Sequence, residues 1–254
     1  MYEENMGGYI VLPSEEEDRL VDEETYYWNK IDMCGVRFRC RKPLCENCGG
    51  YGGLIHKTNF ARILKRFGNL EGKFLRQFVF TVPGNLRTCF MSKGGLNSLF
   101  GITKRVIKKN FGIVAPGKKR KRREGPRFEL QKNAVAILHL LGEEVIYNPH
   151  INVLLLDNRD NKMKLTEEIL HEIKRSYKRA LQAYTGTRLD TVSVHYAYKA
   201  SKADIKKSVW YMARPTDIET WDSVSADYYD LPLSDFTSFG LTGFHFIRYW
   251  GRDF

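Results

Sequence analysis

No stretch of this chain comes near the roughly 18 to 20 consecutive apolar residues that a membrane-spanning helix requires. The N-terminus also lacks the basic-then-apolar pattern of a secretory leader, since it carries Glu3, Glu4 and the acidic run Glu15 to Asp18. No membrane partner is expected, and the reading is of a cytoplasmic protein. Acidic residues are in deficit, 30 against 41 lysines and arginines, for a formal charge of +11. Such an excess is either a solvated cationic surface or a phosphate-binding one that releases counterions on meeting nucleic acid. Cysteine is scarce and unevenly placed: of five, four lie between Cys34 and Cys48, which is not the spread of a secreted disulfide framework. Internal repeats are absent.

What is present argues for a folded chain. Hydrophobic residues make up 43% and aromatics 13% of 254 residues, enough to bury a core and too many for disorder. The organisation read from composition is an acidic arm over residues 1–25, a cysteine-rich module over 26–60 and a main domain over 61–254. In the module, Cys34, Cys40, Cys45 and Cys48 offer four soft ligands, and tetrahedral zinc takes four such thiolates at about 2.3 Å. The closing Cys-x2-Cys is a knuckle pair, so a structural Zn2+ is expected, with His56 as a possible replacement for one cysteine. Cys89 stands alone and is not counted among the ligands.

In the main domain, Gln77–Val82 is β-branched and aromatic and stops at Pro83, which predicts a strand. Gly95–Phe111 carries an imperfect helical stripe. Ala134–Leu141 and Val145–Leu156, separated by Gly142-Glu143-Glu144, predict an antiparallel hairpin. Thr166 is placed to cap a helix with Ile169, Leu170, Ile173, Tyr177, Leu181 and Tyr184 on one stripe. Asp190–Tyr198 then predicts a strand, and Ala203–Ala213 a helix ending before Pro215. This order suggests an α+β fold, an antiparallel sheet with helices on one face and the other face left for a ligand. Between the predicted elements, the run Lys118, Lys119, Arg120, Lys121, Arg122 and Arg123 is bounded by glycine and proline, so it is expected to be an exposed loop that contacts nucleic-acid phosphates.

The second strand of the hairpin carries the chemistry. Side chains alternate along a strand, so His150 and Asn152 share one face while Ile151 and Val153 share the other. An imidazole and an amide are thereby presented together.

Asn148-Pro149-His150-Ile151-Asn152-Val153-Leu154 resembles the His-hydrophobe-His motif of HUH endonucleases, particularly the rolling-circle replication initiators of plasmids and the related transposases. Three further segments agree in order. Phe78-Val79-Phe80-Thr81-Val82-Pro83 is similar to the first initiator motif, and the cysteine cluster is similar to the one that precedes that strand in many members. Tyr211-Met212-Ala213-Arg214-Pro215-Thr216-Asp217 resembles the motif in which a helical Tyr-x-x-Lys or Tyr-x-x-Arg supplies the nucleophile. The resemblance spans roughly residues 31–217.

It implies an HUH nuclease fold and a metal-dependent site-specific endonuclease that nicks and rejoins single-stranded origin DNA. Tyr211 would attack the phosphate, leaving a 5′-phosphotyrosine and a free 3′ hydroxyl, with Arg214 helping to hold the phosphate. A host helicase is a possible partner. His150 and Asn152 would hold the catalytic cation. Asn152 stands where the family usually has its second histidine, and an amide oxygen, being a harder ligand, suits Mg2+ or Mn2+. His139 on the preceding strand corresponds to a third ligand, although a tight turn would place it some residues from the point opposite His150. Tyr196 and Tyr198 are rivals to Tyr211, because Tyr196-x-x-Lys199 fits the same short pattern. Two other readings stand beside this one, an HUH-type transposase and a zinc-bearing DNA-binding protein that does not cleave.

Overall fold

The computed structural model describes residues 34, 45–49, 51–111, 133–141, 147–158, 165–215 and 244–251. The chain divides into two compact units, Met1–Cys40 and Arg41–Phe254. In the second unit a single turn, α1 (Glu46–Gly49), precedes α2 (Leu54–Phe67), β1 (Lys73–Thr81), a 3-10 helix (Gly84–Phe90) and α3 (Lys93–Phe111). Then follow β2 (Asn133–Leu141), β3 (Tyr147–Asn158), α4 (Glu167–Thr185), β4 (Val194–Lys199), α5 (Lys202–Met212) and β5 (Ile247–Gly251). The strands form one antiparallel sheet in the order β4-β1-β3-β2-β5.

Local chemistry sets the helix ends. The Thr166 hydroxyl accepts from the Ile169 amide at 3.4 Å, and Gly186 ends α4 in the left-handed region at φ 70°. Ser201 caps α5 in the same way, accepting from the Asp204 amide at 3.0 Å. Helix α2 runs through the expected module boundary at residue 60, and β5 lies where the sequence pattern gave no strand.

The expectation of helices on one face is corrected: helices pack on both. Leu75, Val135, Ile137, Leu154 and Leu156 meet Ile63 and Phe67 of α2 and Ile205, Val209 and Met212 of α5. One residue along each strand the side chains turn to the opposite face, where the Phe80 ring meets Tyr177 of α4 at 5.1 Å and the Tyr177 hydroxyl donates to the Thr81 carbonyl at 3.4 Å. The reason is the composition of the central strands. Residues 134–140 and 151–157 are buried without alternation, as strands covered on both sides must be. Each large apolar side chain left in water would forfeit about 1.5–3 kcal/mol, so Phe78, Phe80, Ile151 and Val153 demand a cover of their own. That second layer also contains a buried ion pair, Arg76 to Asp157 at 3.0 Å, with Arg76 donating to the Tyr196 hydroxyl at 3.0 Å.

Two glycines of α3 make opposite demands. A Cβ on Gly95 would lie 2.5 Å from the Cys89 carbonyl oxygen and 2.9 Å from the Phe90 Cα, so this glycine lets the helix start pack on the 3-10 turn. A Cβ on Gly101 would meet nothing within 4 Å. Gly95→Ala is expected to destabilise the fold by about 1–3 kcal/mol through overpacking. Gly101→Ala is expected to stabilise it by roughly 0.5–1 kcal/mol through helix propensity. Urea unfolding of the two variants checks the sign of each.

Candidate active site

The β2–β3 register puts His139 directly opposite His150, with ring centroids 5.3 Å apart and the planes nearly perpendicular at 89°. A three-residue turn would have slipped this pairing. Instead the strands run from Leu141 to Tyr147 with a register shift between His139 and Leu141, which brings the two imidazoles together. Asn152 lies on the same face, its Nδ2 3.2 Å from His139 Nδ1. Alternation adds Asn148, two residues before His150. Its Oδ1 is buried and, among the described residues, has no hydrogen-bond partner. An oxygen acceptor left in this state costs free energy unless a donor or cation reaches it. The family resemblance gives Asn148 no role, yet the alternation Asn148, His150, Asn152 already sets all three on one face of the strand.

The hydrogen bonds fix where the protons sit. Backbone carbonyls only accept, so His150 Nδ1, 2.8 Å from the Asn148 carbonyl oxygen, carries the hydrogen. In the neutral ring Nε2 is then the lone-pair nitrogen, and it makes no hydrogen bond among the described residues. Burial, with a smaller push from the Arg214 charge, holds His150 below its ordinary pKa against the opposing Asn148 bond. His139 is arranged differently. Its Nε2 donates to the Met212 carbonyl at 2.9 Å, so Nδ1 is the acceptor for the Asn152 amide. Burial first, then the charges of His150 and Arg214, push its pKa down to about 3. Both His139 nitrogens are thus engaged within the protein, whereas His150 Nε2 and the Asn148 and Asn152 amide oxygens remain as donors for a cation.

The Met212 carbonyl belongs to the end of α5, where the helix leaves carbonyls without intrahelical partners. Ala213, in the right-handed region, takes the place of a left-handed glycine cap. Three side chains from elsewhere supply donors: His56 Nε2 to the Trp210 carbonyl at 2.7 Å, His139 to Met212, and Asn59 Nδ2 to the Ala213 carbonyl at 3.3 Å. His56 accepts at Nδ1 from the Gly52 amide at 2.8 Å and stacks on Trp210 at 4.1 Å. Both of its nitrogens are therefore occupied, and it does not serve as a substitute for a cysteine ligand.

This clamp places Tyr211 and Arg214. Tyr211 is 45% exposed, and the Arg214 guanidinium lies 4.3 Å over its ring. The same guanidinium acts on the pKa of both His139 and His150, which ties the tyrosine's end of the helix to the histidine pair. Tyr196 and Tyr198 pair with Phe78 and Arg76 in the β1–β4 ladder and so face the opposite side of the sheet from His150. Tyr196 packs on Phe78 at 5.0 Å.

Of the cysteines, Cys45 and Cys48 are buried in the second unit, and Cys34 is half-buried. The Cys48 and Gly49 amides both donate to the Cys45 carbonyl, at 3.1 and 2.6 Å, which closes the single helical turn α1. Cys89 is exposed on the 3-10 helix. Cys40 and the basic run 118–123 lie outside the described residues. Among the described residues no helix is long and apolar enough to cross a membrane. The chain matches no family model, no curated protein and no solved structure.

The neutral, buried His139 has a consequence for acid stability. Between pH 6.5 and about 3 the unfolded chain binds a proton at this residue that the folded chain does not. Its contribution is fully present above pH 6.5 and is lost as pH falls through that window, at a limiting slope of about 1.4 kcal/mol per pH unit. Urea unfolding from pH 7 to 4 should show a shallower loss in His139→Gln than in the wild type. Equal slopes would mean that His139 is not held neutral.

Proposed function

We propose that this chain is a metal-dependent endonuclease and strand transferase of the HUH type, acting as a rolling-circle replication initiator that nicks and rejoins single-stranded DNA. The observation that carries the reading is the docking of the Tyr211–Arg214 helix end onto the face that bears His150, with the rival tyrosines on the other face. Three donors, His150 Nε2 and the side-chain oxygens of Asn148 and Asn152, fit a small oxygen-preferring cation such as Mg2+ or Mn2+. The orphaned, buried Asn148 oxygen is the strongest point in favour of that fit. His139 then acts by orienting Asn152 and holding Met212, in place of the ligand role that the family resemblance gives it.

When bound, the cation supplies Lewis-acid polarisation of the scissile phosphate. The chain's own residues supply the rest. The Tyr211 oxygen forms a bond to phosphorus, the bond from phosphorus to the 3′ oxygen breaks, and the proton lost by Tyr211 ends on that 3′ oxygen. Arg214 is one turn beyond the nucleophile, where its charge offsets that of the phosphate. Because the phosphotyrosine keeps the energy of the broken ester, the reverse attack rejoins strands at the same site. The cysteine group is assigned to a structural Zn2+, for which thiolates are the fitting ligands.

Denaturing gels of labelled single-stranded DNA incubated with protein and Mn2+ test this reading. Tyr211→Phe should bind DNA and form no covalent adduct. His150→Ala should lower adduct formation by about 100-fold or more, and Asn148→Ala should raise the Mn2+ needed by roughly 10- to 100-fold. An adduct that survives in Tyr211→Phe and vanishes in Tyr196→Phe would move the chemistry to the other face of the sheet.

A further inference from the structure

Helix α3 presents Asn97, Gly101, Lys104 and Lys108 at intervals of four, three and four residues, which sets them on one line along its surface. Arg248 of β5 lies beside that line. Its guanidinium sits 4.0 Å over the Phe100 ring and 5.4 Å from that of Phe244, and it donates to the Asn97 side-chain oxygen. Lys109, on the neighbouring line, pairs with Glu172 at 3.6 Å, a carboxylate it shares with Arg175 at 2.9 Å, and donates to the Ser176 hydroxyl at 3.2 Å. Lys104, Lys108 and Arg248 have no carboxylate partner among the described residues. They are close enough to act on one another: burial first, then Lys108 and Arg248, draw the Lys104 pKa below its ordinary value. Three cations held together in this way are relieved by an anion.

Gly101 points to the shape of that anion. The residue is exposed in the middle of a long helix, where glycine is a poor choice, and a side chain there would meet only open space. Neither internal packing nor a left-handed backbone calls for it. A bare stretch of helix between an amide and two lysines lets the backbone of a ligand approach closely. The basic run 118–123 follows α3 in the chain, so the line of positive charge continues in the sequence.

We propose that Asn97, Gly101, Lys104, Lys108 and Arg248 form a second nucleic-acid surface that binds the phosphodiester backbone without reading bases, on the face of the sheet away from His150. The choice of polymer rests on the nuclease reading, and the surface itself rests on the cation geometry. The site holds DNA beyond the scissile phosphate while that phosphate is engaged on the opposite face.

Fluorescence anisotropy of the full chain tests this with a labelled 30-nucleotide strand and a duplex of the same sequence, without divalent cation, across 50–300 mM salt. The Lys104→Gln, Lys108→Gln double variant should bind about tenfold more weakly at 100 mM salt, and its log–log salt slope should shrink by about 1.5. Gly101→Glu places a carboxylate in open space on a helix that tolerates it, and should weaken binding as well. Lys109→Gln, already paired in the wild type, should leave both quantities unchanged. Wild-type affinity and slope in both the double variant and Gly101→Glu would overturn the proposal, including in favour of an acidic protein as the partner. The assay contains no cleavage step, so its failure is separate from a failure of Tyr211 to form an adduct.

Discussion

Three side-chain donors at the end of one helix hold the candidate site together. Helix α5 ends without a left-handed glycine: the Trp210 carbonyl keeps one backbone donor, the Ala213 amide at 3.2 Å, and a buried carbonyl of Met212 or Ala213 left without any donor would cost about 1–3 kcal/mol. His56, His139 and Asn59 close these carbonyls from two different elements. The consequence reaches beyond stability. Because the carbonyl of Met212 is fixed to a histidine that stands opposite His150, the neighbouring Tyr211 and Arg214 are delivered to the same end of the sheet. Trp210 belongs to the same arrangement, stacked on His56 and donating to the Tyr51 hydroxyl at 2.9 Å, so the segment following the cysteine knuckle is anchored to the same helix.

The two histidines of the hairpin do different work because their surroundings differ. His139 is fully enclosed and bonded at both nitrogens, a neutral bridge between Asn152 and the helix end. His150 is partly open, with its proton held on Nδ1 by the Asn148 carbonyl and its Nε2 lone pair directed elsewhere. A charge on either ring would oppose the other and Arg214, and burial already disfavours it. Neutral imidazole is the form that binds metal, so the electrostatics of the pocket and the proposed chemistry agree.

Much of this was legible in the residues. The strand expected over Gln77–Val82, which in the fold begins earlier and runs Lys73–Thr81, the hairpin, the Thr166 cap and the helix bearing Tyr211 all follow from periodicity and capping chemistry. The shared face of His150 and Asn152 follows from strand alternation alone. The cover on both faces is also written in the unbroken apolar runs of β2 and β3, which leave no polar face for solvent. Other features depend on distance in space. The opposition of His139 to His150 is set by a register shift that no local residue announces. The role of His56 depends on Trp210, 154 positions away in the chain. A histidine near four cysteines invites a ligand reading, and only the fold reveals a carbonyl in front of it.

Neutral imidazoles at His56 and His139, each donating from Nε2, pin the α5 end to the face of the sheet that bears His150. Long-range nitrogen-15 correlation spectra of the labelled protein at pH 7 read the tautomer of every imidazole directly. Neutral rings are expected, protonated at Nε2 in His56 and His139 and at Nδ1 in His150. Charged rings, or the opposite tautomer at His139, would mean that the helix end carrying Tyr211 is held in some other way.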